Sequence, residues 1–586
     1  MEISLVTEAT YPFHPGGVSV WCDQIVRGLP AHIFDVVAIG SGDERLRWQL
    51  PANVRRLQRV PLWAPAPRRT PVRAGMSATT IGAFGELLAA MDGPPGNPGF
   101  VNALRMLLEP AQHGELTPSL RSVAAVDLVL SSMHAALPAG RAAGTPPAQG
   151  TLGDAMMALT LLEHFLRPLG ARLPRADLIH ATANGLGVLV ALGAQWSFGT
   201  PLVLTEHGIY LRERYLDLRA DRYPHHVRRM LLAFFRQLGA VGYQQASVIA
   251  PVSVYNSRWE LATGAHPSRI RPIYNGVDIS SFPAAGEPDE PVLTWVGRID
   301  PLKDIETLLR AFAEVRQVVP GARLRMFGPT PPENAPYRHR CEQLHRELGL
   351  GGSAVFEGLV SPVASAYGAG QVFVMTSISE GFPFVLIEAM AVGRPTVSTA
   401  VGGCAEAAGD AGIVVPPRDP HAVASACAAL LTDTSLRRRL GEAARRRVLA
   451  QFRLDQCLGR YDDLYHDVVH GLAGTRPTDG DRTRLDDQAG RGGGGGGVGA
   501  GGTAVPVAIA GSPHPRRAAL SVVARSSWSA PSPEPAPVTA AHPSIGPPVA
   551  CQLVRPHPEG AAPPGRPAPV RRPGRGAHRR RPEADR

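Results

Sequence analysis

Short apolar runs separated by longer amphipathic stretches alternate along most of the chain, the pattern of parallel strands with helices laid against both faces of a sheet. Ile3–Val6 reads as the first strand. Gly16-Gly17 follows it, then an amphipathic helix over about Val18–Leu29 and a second strand at Phe34–Ile39. From 61 to 175 the alternation gives way to Pro-rich loops and helical stretches with no clear strand, which reads as an insertion. Strands resume at Asp177–His180, Pro201–Thr205, Val248–Val252 and Ile270–Ile273. A Pro/Glu/Ala/Gly stretch at Pro283–Pro291 marks a linker. A second set of strands then runs through Val292–Val296, Arg323–Phe327, Ala354–Glu357, Val372–Thr376, Thr396–Ser398 and Gly412–Val415, with helical segments between them and helices over about 419–470.

This order predicts an α/β protein of two Rossmann-like, doubly wound domains whose strand ends face a central cleft. The first spans 1–285 and the second 290–455. A terminal helix at 456–474 is expected to cross back to the first domain. From 475 to 586 the pattern stops. Six glycines at 492–497 and a Pro/Ala/Arg/Ser mixture cannot bury enough apolar area to offset chain entropy, so a disordered tail is expected.

The formal net charge of +10 is concentrated at that end. From Thr475 onward there are 16 Arg against 8 acidic residues, which leaves only +2 for the rest of the chain. A nearly neutral body argues against a nucleic-acid partner. The six cysteines are scattered without CxxC or Cys/His metal spacing, as in a reduced cytoplasmic protein. The uncharged stretch 181–205 holds Asn184, Gln195, Trp196, Ser197 and four glycines, and reads as helix, loop and strand rather than a membrane span.

Of 60 basic residues, 59 are arginine, and Lys303 is the one lysine. Arginine is a planar fork and lysine a compact point charge, so a narrow site that touches one phosphate oxygen can demand lysine where a surface site does not. Arg298 and Lys303 lie where a strand meets a helix start, a natural diphosphate site. Some eighty residues on, Glu380-Gly381 follows a strand, a helix starts near Pro383, and Glu388 lies one to two turns inside it on an otherwise apolar stretch. Glu380 then meets a ligand at the loop, and Glu388 can accept hydrogen bonds from a diol such as a ribose. Gly16-Gly17 lets backbone N–H groups approach an anion or sugar closely but is not GxGxxG. His207 closes a strand in Thr-Glu-His-Gly, at the ligand-facing end of the sheet. No paired aspartates fall at a strand end: Asp462-Asp463 belongs to a late helix and Asp486-Asp487 to the tail, so no metal site on a diphosphate is expected.

Gly-Arg298-x4-Lys303 with Glu380-x7-Glu388 resembles the retaining nucleotide-sugar glycosyltransferases of family 4, which have the GT-B fold. The segments Glu8–Trp21, Leu204–Arg214, Tyr274–Asp278 and Val401–Glu406 are similar to the PelF type, the cytosolic glycosyltransferase of Pel exopolysaccharide systems. The resemblance implies that Arg298 and Lys303 hold the donor diphosphate, Glu388 the ribose, and Glu380, with Gly381 and Phe382 beside it, the donor sugar. It implies that Gly16 and Gly17 close on the donor, that His207 faces the sugar, and that Glu406 supports the site from behind. It further implies a UDP-glucose donor, a polysaccharide or other glycan acceptor, no cofactor or metal, and a place in the cytoplasm or at the inner face of the membrane beside a synthase or export complex. Two alternatives stay open: a catalytically silent nucleotide-sugar-binding component, and a sugar-nucleotide epimerase of the same fold.

Overall fold

A computed structural model describes residues 1–64, 74–135, 150–218 and 223–471. The expected tail lies outside the described residues. Two six-stranded sheets form, all of their pairings parallel. The first contains β1 (Glu2–Glu8), β2 (Ile33–Gly40), β3 (Val54–Pro61), β4 (Leu178–Ala181), β5 (Leu202–Glu206) and β6 (Val248–Pro251), in the order β3-β2-β1-β4-β5-β6. The second contains β7 (Val292–Val296), β8 (Arg323–Phe327), β9 (Ala354–Gly358), β10 (Val372–Met375), β11 (Thr396–Thr399) and β12 (Gly412–Val415), in the order β12-β11-β10-β7-β8-β9. Both sheets have the Rossmann strand order. Each therefore reverses direction once, between β1 and β4 and between β7 and β10, and a crevice opens beyond the carboxyl ends of those strands.

The sequence reading missed one strand and supplied one too many. β3, Val-Arg-Arg-Leu-Gln-Arg-Val-Pro, sits at the sheet edge with only Val60 buried, so its polar composition hid it. Ile270–Ile273 is not a strand. It makes a single bridge, Ile270 to Ile249, and runs on as extended backbone beside β6. Between β3 and β4 come five helices, Ala74–Met91, Pro98–Gln112, Leu116–Leu120, Val123–Ala135 and Leu152–Leu166, with no strand among the described residues. Of these, Ala74–Met91 and Leu152–Leu166 pack on the long helix His225–Gln245. Its buried Gln237 caps the carbonyls of Gly93 and Pro94, each at 3.0 Å.

The last helix, Leu454–Val469, packs against Gly17–Gly28 and β4 of the first domain. Its Tyr461, Leu464, Tyr465 and Val468 complete that domain's core alongside Ile3, Leu5, Trp21 and Phe34. Tyr465 Oη and Thr205 Oγ1 each lie 2.8 Å from a ring nitrogen of the buried His180, and burial pushes that imidazole down to about 3. The two crossings between domains run side by side. Val277 N donates to Phe452 O at 2.8 Å, and Leu454 N donates to Val277 O at 3.0 Å. Gly276 is required there, since a Cβ would lie 2.7 Å from Leu454 Cα. No described helix is long and apolar enough to cross a membrane.

Candidate active site

The loops leaving β7 and β10 flank the reversal point of the second sheet, and the side chains expected to do chemistry project from them. After β7, Asp300 caps a short 3-10 turn, Pro301–Lys303, through Leu302 N at 2.9 Å, and is itself held by Asn334 Nδ2 at 3.2 Å. Asp304, in the left-handed region at φ 47°, then caps the helix Ile305–Val318 through Thr307 N. This double cap fixes Lys303. The loop after β10 is tied to the same turn: Thr376 Oγ1 donates to the carbonyls of Lys303 and Asp304 at 3.0 Å, and Ile378 N donates to Leu302 O at 2.8 Å.

Lys303 Nζ meets Glu380 Oε1 at 2.5 Å, with 22% and 11% of the two side chains exposed. The two residues stand 77 positions apart in sequence, on different loops. Arg298, on the same loop after β7, is about a third exposed and approaches Asp300 at 3.8 Å. Glu388 lies inside the helix Phe384–Ala391 and accepts from Tyr367 Oη at 2.5 Å; burial raises its carboxyl to about 7.

The first domain closes directly on this loop. His207 follows β5, and its carbonyl is so close to Gly381 that a Cβ there would lie 1.6 Å from it. The Trp21 ring meets the His207 ring edge-on at 4.9 Å, and His207 Nε2 is buried with no hydrogen-bond partner among the described residues. Burial lowers His207 to about 3, so it is neutral at physiological pH and offers a hydrogen bond rather than a charge. Arg212 Nη1, one turn into the next helix, reaches Ser379 Oγ at 2.5 Å. Gly16 faces open space, while a Cβ on Gly17 would touch Phe384 at 3.6 Å, so the glycine loop lies over the start of the helix that carries Glu388.

Two expected ligand residues have other partners. Phe382 is buried against Tyr274 and Phe452, with ring centroids 5.0 and 5.3 Å away, and its carbonyl accepts from Asn275 Nδ2; its side chain is core rather than sugar contact. Glu406 accepts from Val254 N at 2.8 Å and Tyr255 N at 2.5 Å, at the start of the first domain's helix Val254–Ala262. It clasps the two domains through a helix N-terminus, a position of support rather than of direct contact with a donor. Arg212 was not singled out from the sequence, although it lies in Leu204–Arg214, in the first turn of the helix that follows His207. A groove of about 460 Å³ lined by Pro288, Glu290, Val292 and Arg323 lies at the opposite ends of β7 and β8, away from these residues.

Two Rossmann-type domains closing on one another over a shared cleft, pinned by paired crossovers, define the GT-B fold. Solved structures agree at the level of fold. Sucrose-phosphate synthase from Thermosynechococcus elongatus superposes with a TM-score of 0.54 at 20% identity, covering 80% of this chain and 99% of that one. Anabaena HepE in complex with UDP and glucose gives 0.52 at 16% identity, covering 80% and 99%. Residues 290–433 match the family model described as Glycosyl transferases group 1. Residues 1–268 match a model described as a domain of unknown function. Among curated proteins, N-acetyl-alpha-D-glucosaminyl L-malate synthase of Bacillus anthracis is 29% identical over 243 residues, 39% of this chain and 61% of that protein. D-inositol 3-phosphate glycosyltransferase of Salinispora arenicola is 29% identical over 323 residues, 50% of this chain and 69% of that one.

Proposed function

We propose that the protein is a retaining, metal-independent hexosyltransferase of family 4 that moves glucose from UDP-glucose to a growing polysaccharide or other glycan, in a Pel-like exopolysaccharide system. One observation carries the chemistry. Lys303 and Glu380 meet across the reversal point of the second sheet, under a neutral His207 contributed by the first domain. Without donor, the lysine and glutamate neutralise each other. With donor, Lys303 and Arg298 turn to the diphosphate and Glu380 to the sugar hydroxyls. Negative charge grows on the departing diphosphate, so two fixed cations stabilise the transition state more than the ground state and supply the load a metal would otherwise carry. His207, with its unpartnered Nε2, hydrogen-bonds the sugar, and Glu388 accepts from the ribose diol. In this reading Glu380 is occupied by the sugar hydroxyls and Glu388, bonded to Tyr367, by the ribose, which leaves neither carboxylate for a double displacement. Attack therefore comes from the leaving-group face.

The UDP-glucose reading rests on the PelF resemblance and is supported by the fold shared with a protein solved with UDP and glucose. Calorimetry with UDP, GDP, ADP and their sugars tests it: UDP is expected to bind tightest and UDP-glucose to turn over in excess chelator. Tighter GDP or ADP binding overturns the donor, and loss of turnover on chelation, restored by manganese or magnesium, overturns metal independence. The acceptor is expected to bind over the inserted helices of the first domain, with the enzyme in the cytoplasm or at the inner face of the membrane beside a synthase or export complex.

A further inference from the structure

Away from the cleft, the docked terminal helix brings three metal-binding side chains together. His32 lies in the turn before β2 and is 4% exposed. Its ring is fixed edge-on by Phe34 at 6.5 Å and Tyr465 at 6.0 Å, and its Nε2 points out of the core to Asp462 Oδ1 at 2.6 Å. One turn further along the same helix, His466 Nε2 lies 3.8 Å from that oxygen. One ligand atom from each residue falls within 4.8 Å of the others. His470, a further turn on, stacks on His466 with centroids 6.1 Å apart.

We propose that His32, Asp462 and His466 form a binding site for a borderline divalent transition-metal cation such as Zn²⁺, with the remaining position held by water or by His470. Two imidazole nitrogens and one carboxylate oxygen are the donor set such ions select, whereas Mg²⁺ and Ca²⁺ prefer an all-oxygen shell. The geometry needs little adjustment. Ligand bonds of about 2.1 Å in a tetrahedron place ligand atoms about 3.4 Å apart. The 2.6 Å contact therefore opens slightly and the 3.8 Å contact closes slightly. The adjusting side chains are those free to move, since Asp462 and His466 are 43% and 53% exposed while His32 is held by the core. Sequence spacing alone gives only half of the site: Asp462 and His466 share a helix face as an i, i+4 pair, but His32 lies 430 residues away from Asp462 and joins only when the last helix crosses back. The bound ion fastens that helix to the first domain just beyond the point where the two crossovers are paired. It takes no part in diphosphate chemistry.

The test uses the full chain without a histidine tag, stripped by chelator and dialysed. Zn²⁺ is titrated by calorimetry and Co²⁺ by visible absorption. A single equivalent of Zn²⁺ with a raised Tm, and intense tetrahedral Co²⁺ bands, are expected. His466→Ala keeps the His32–Asp462 pair and so the fold. It is expected to weaken Zn²⁺ binding by about tenfold or more, while Asp463→Asn, one residue from the site on the exposed face, binds as wild type. No binding at millimolar Zn²⁺, an affinity unchanged by His466→Ala, or equal competition by Mg²⁺ overturns the proposal.

Discussion

Replacing Gly381 with alanine is expected to hold the two domains apart. The residue lies in the Glu380 loop, flat against the backbone of His207 from the other domain. An alanine Cβ would sit 1.6 Å from the His207 carbonyl oxygen, and contacts under 3.0 Å are not tolerated. The partner is backbone rather than a flexible side-chain tip, so it cannot swing aside. The domains must separate by about 1.4 Å locally, and reacting groups displaced by about 1 Å cost roughly a hundredfold in rate. The expected result is a loss of about a hundredfold or more in kcat/KM for donor turnover, followed by UDP release. Calorimetric UDP affinity should change less than about threefold, because the nucleotide is held by the second domain. Gly321→Ala, at a turn where a Cβ meets nothing within 4 Å, is the control. Turnover by Gly381→Ala within about threefold of wild type refutes the reasoning, as does a loss accounted for wholly by weaker UDP binding.

Lys303→Arg should lower kcat about tenfold or more with little change in Tm, since a guanidinium fork cannot reproduce the point contact of an ammonium in this turn; stopped-time turnover assays decide it. A 2′,3′-dideoxy UDP-glucose should bind ten- to a hundredfold more weakly, because leaving Glu388 without its diol costs about 1–3 kcal/mol; equal affinity would remove Glu388 from the ribose. Burial raises Glu213 and Glu388 to about 7, and burial beside each other raises Glu206 and Glu260 as well, all above the ordinary 4.5. Folding therefore takes up protons, and this contribution, complete below pH 4.5, is lost progressively as pH rises from there through about 7. Tm should fall between pH 6 and pH 9, and Glu260→Gln, which removes one of these groups, should raise Tm more at pH 8.5 than at pH 6. A Tm that rises with pH over this range contradicts the assignment.

The second domain was legible nearly strand for strand because its strands are buried on both faces and spell short apolar runs, as in Val292–Val296 and Val372–Met375. The edge strand β3 was not, since its apolar residues Val54, Leu57 and Val60 fall three apart, off the two-residue period of a strand, and only Val60 is buried. Lys303 and Glu380 were expected on loops that follow strands and lie there, paired with each other, and Glu388 lies inside the next helix as expected, because loop and helix boundaries are marked by local sequence. The destination of Glu406 was hidden for the opposite reason: the helix N-terminus it caps belongs to the other domain. Phe382 could not be separated from its ligand-lining neighbours without knowing that Tyr274 and Phe452 stack on it. The three-residue cluster at His32 was invisible because its halves lie at opposite ends of the folded chain.

The placement of the final helix also sets a timetable for synthesis. The first domain emerges early from the ribosome but lacks Tyr461, Leu464, Tyr465 and Val468, and His180 lacks Tyr465, until the helix ending at Val469 has been made. At about 5–20 residues per second, the stretch from the linker to that helix takes roughly 10 to 40 s to translate. During that interval the earlier-born half waits with an open apolar groove, while the second domain, continuous from β7 to the helix ending at Gln451, can finish folding. The half synthesised first is thus the last to be completed, and it is the half a nascent-chain chaperone would hold.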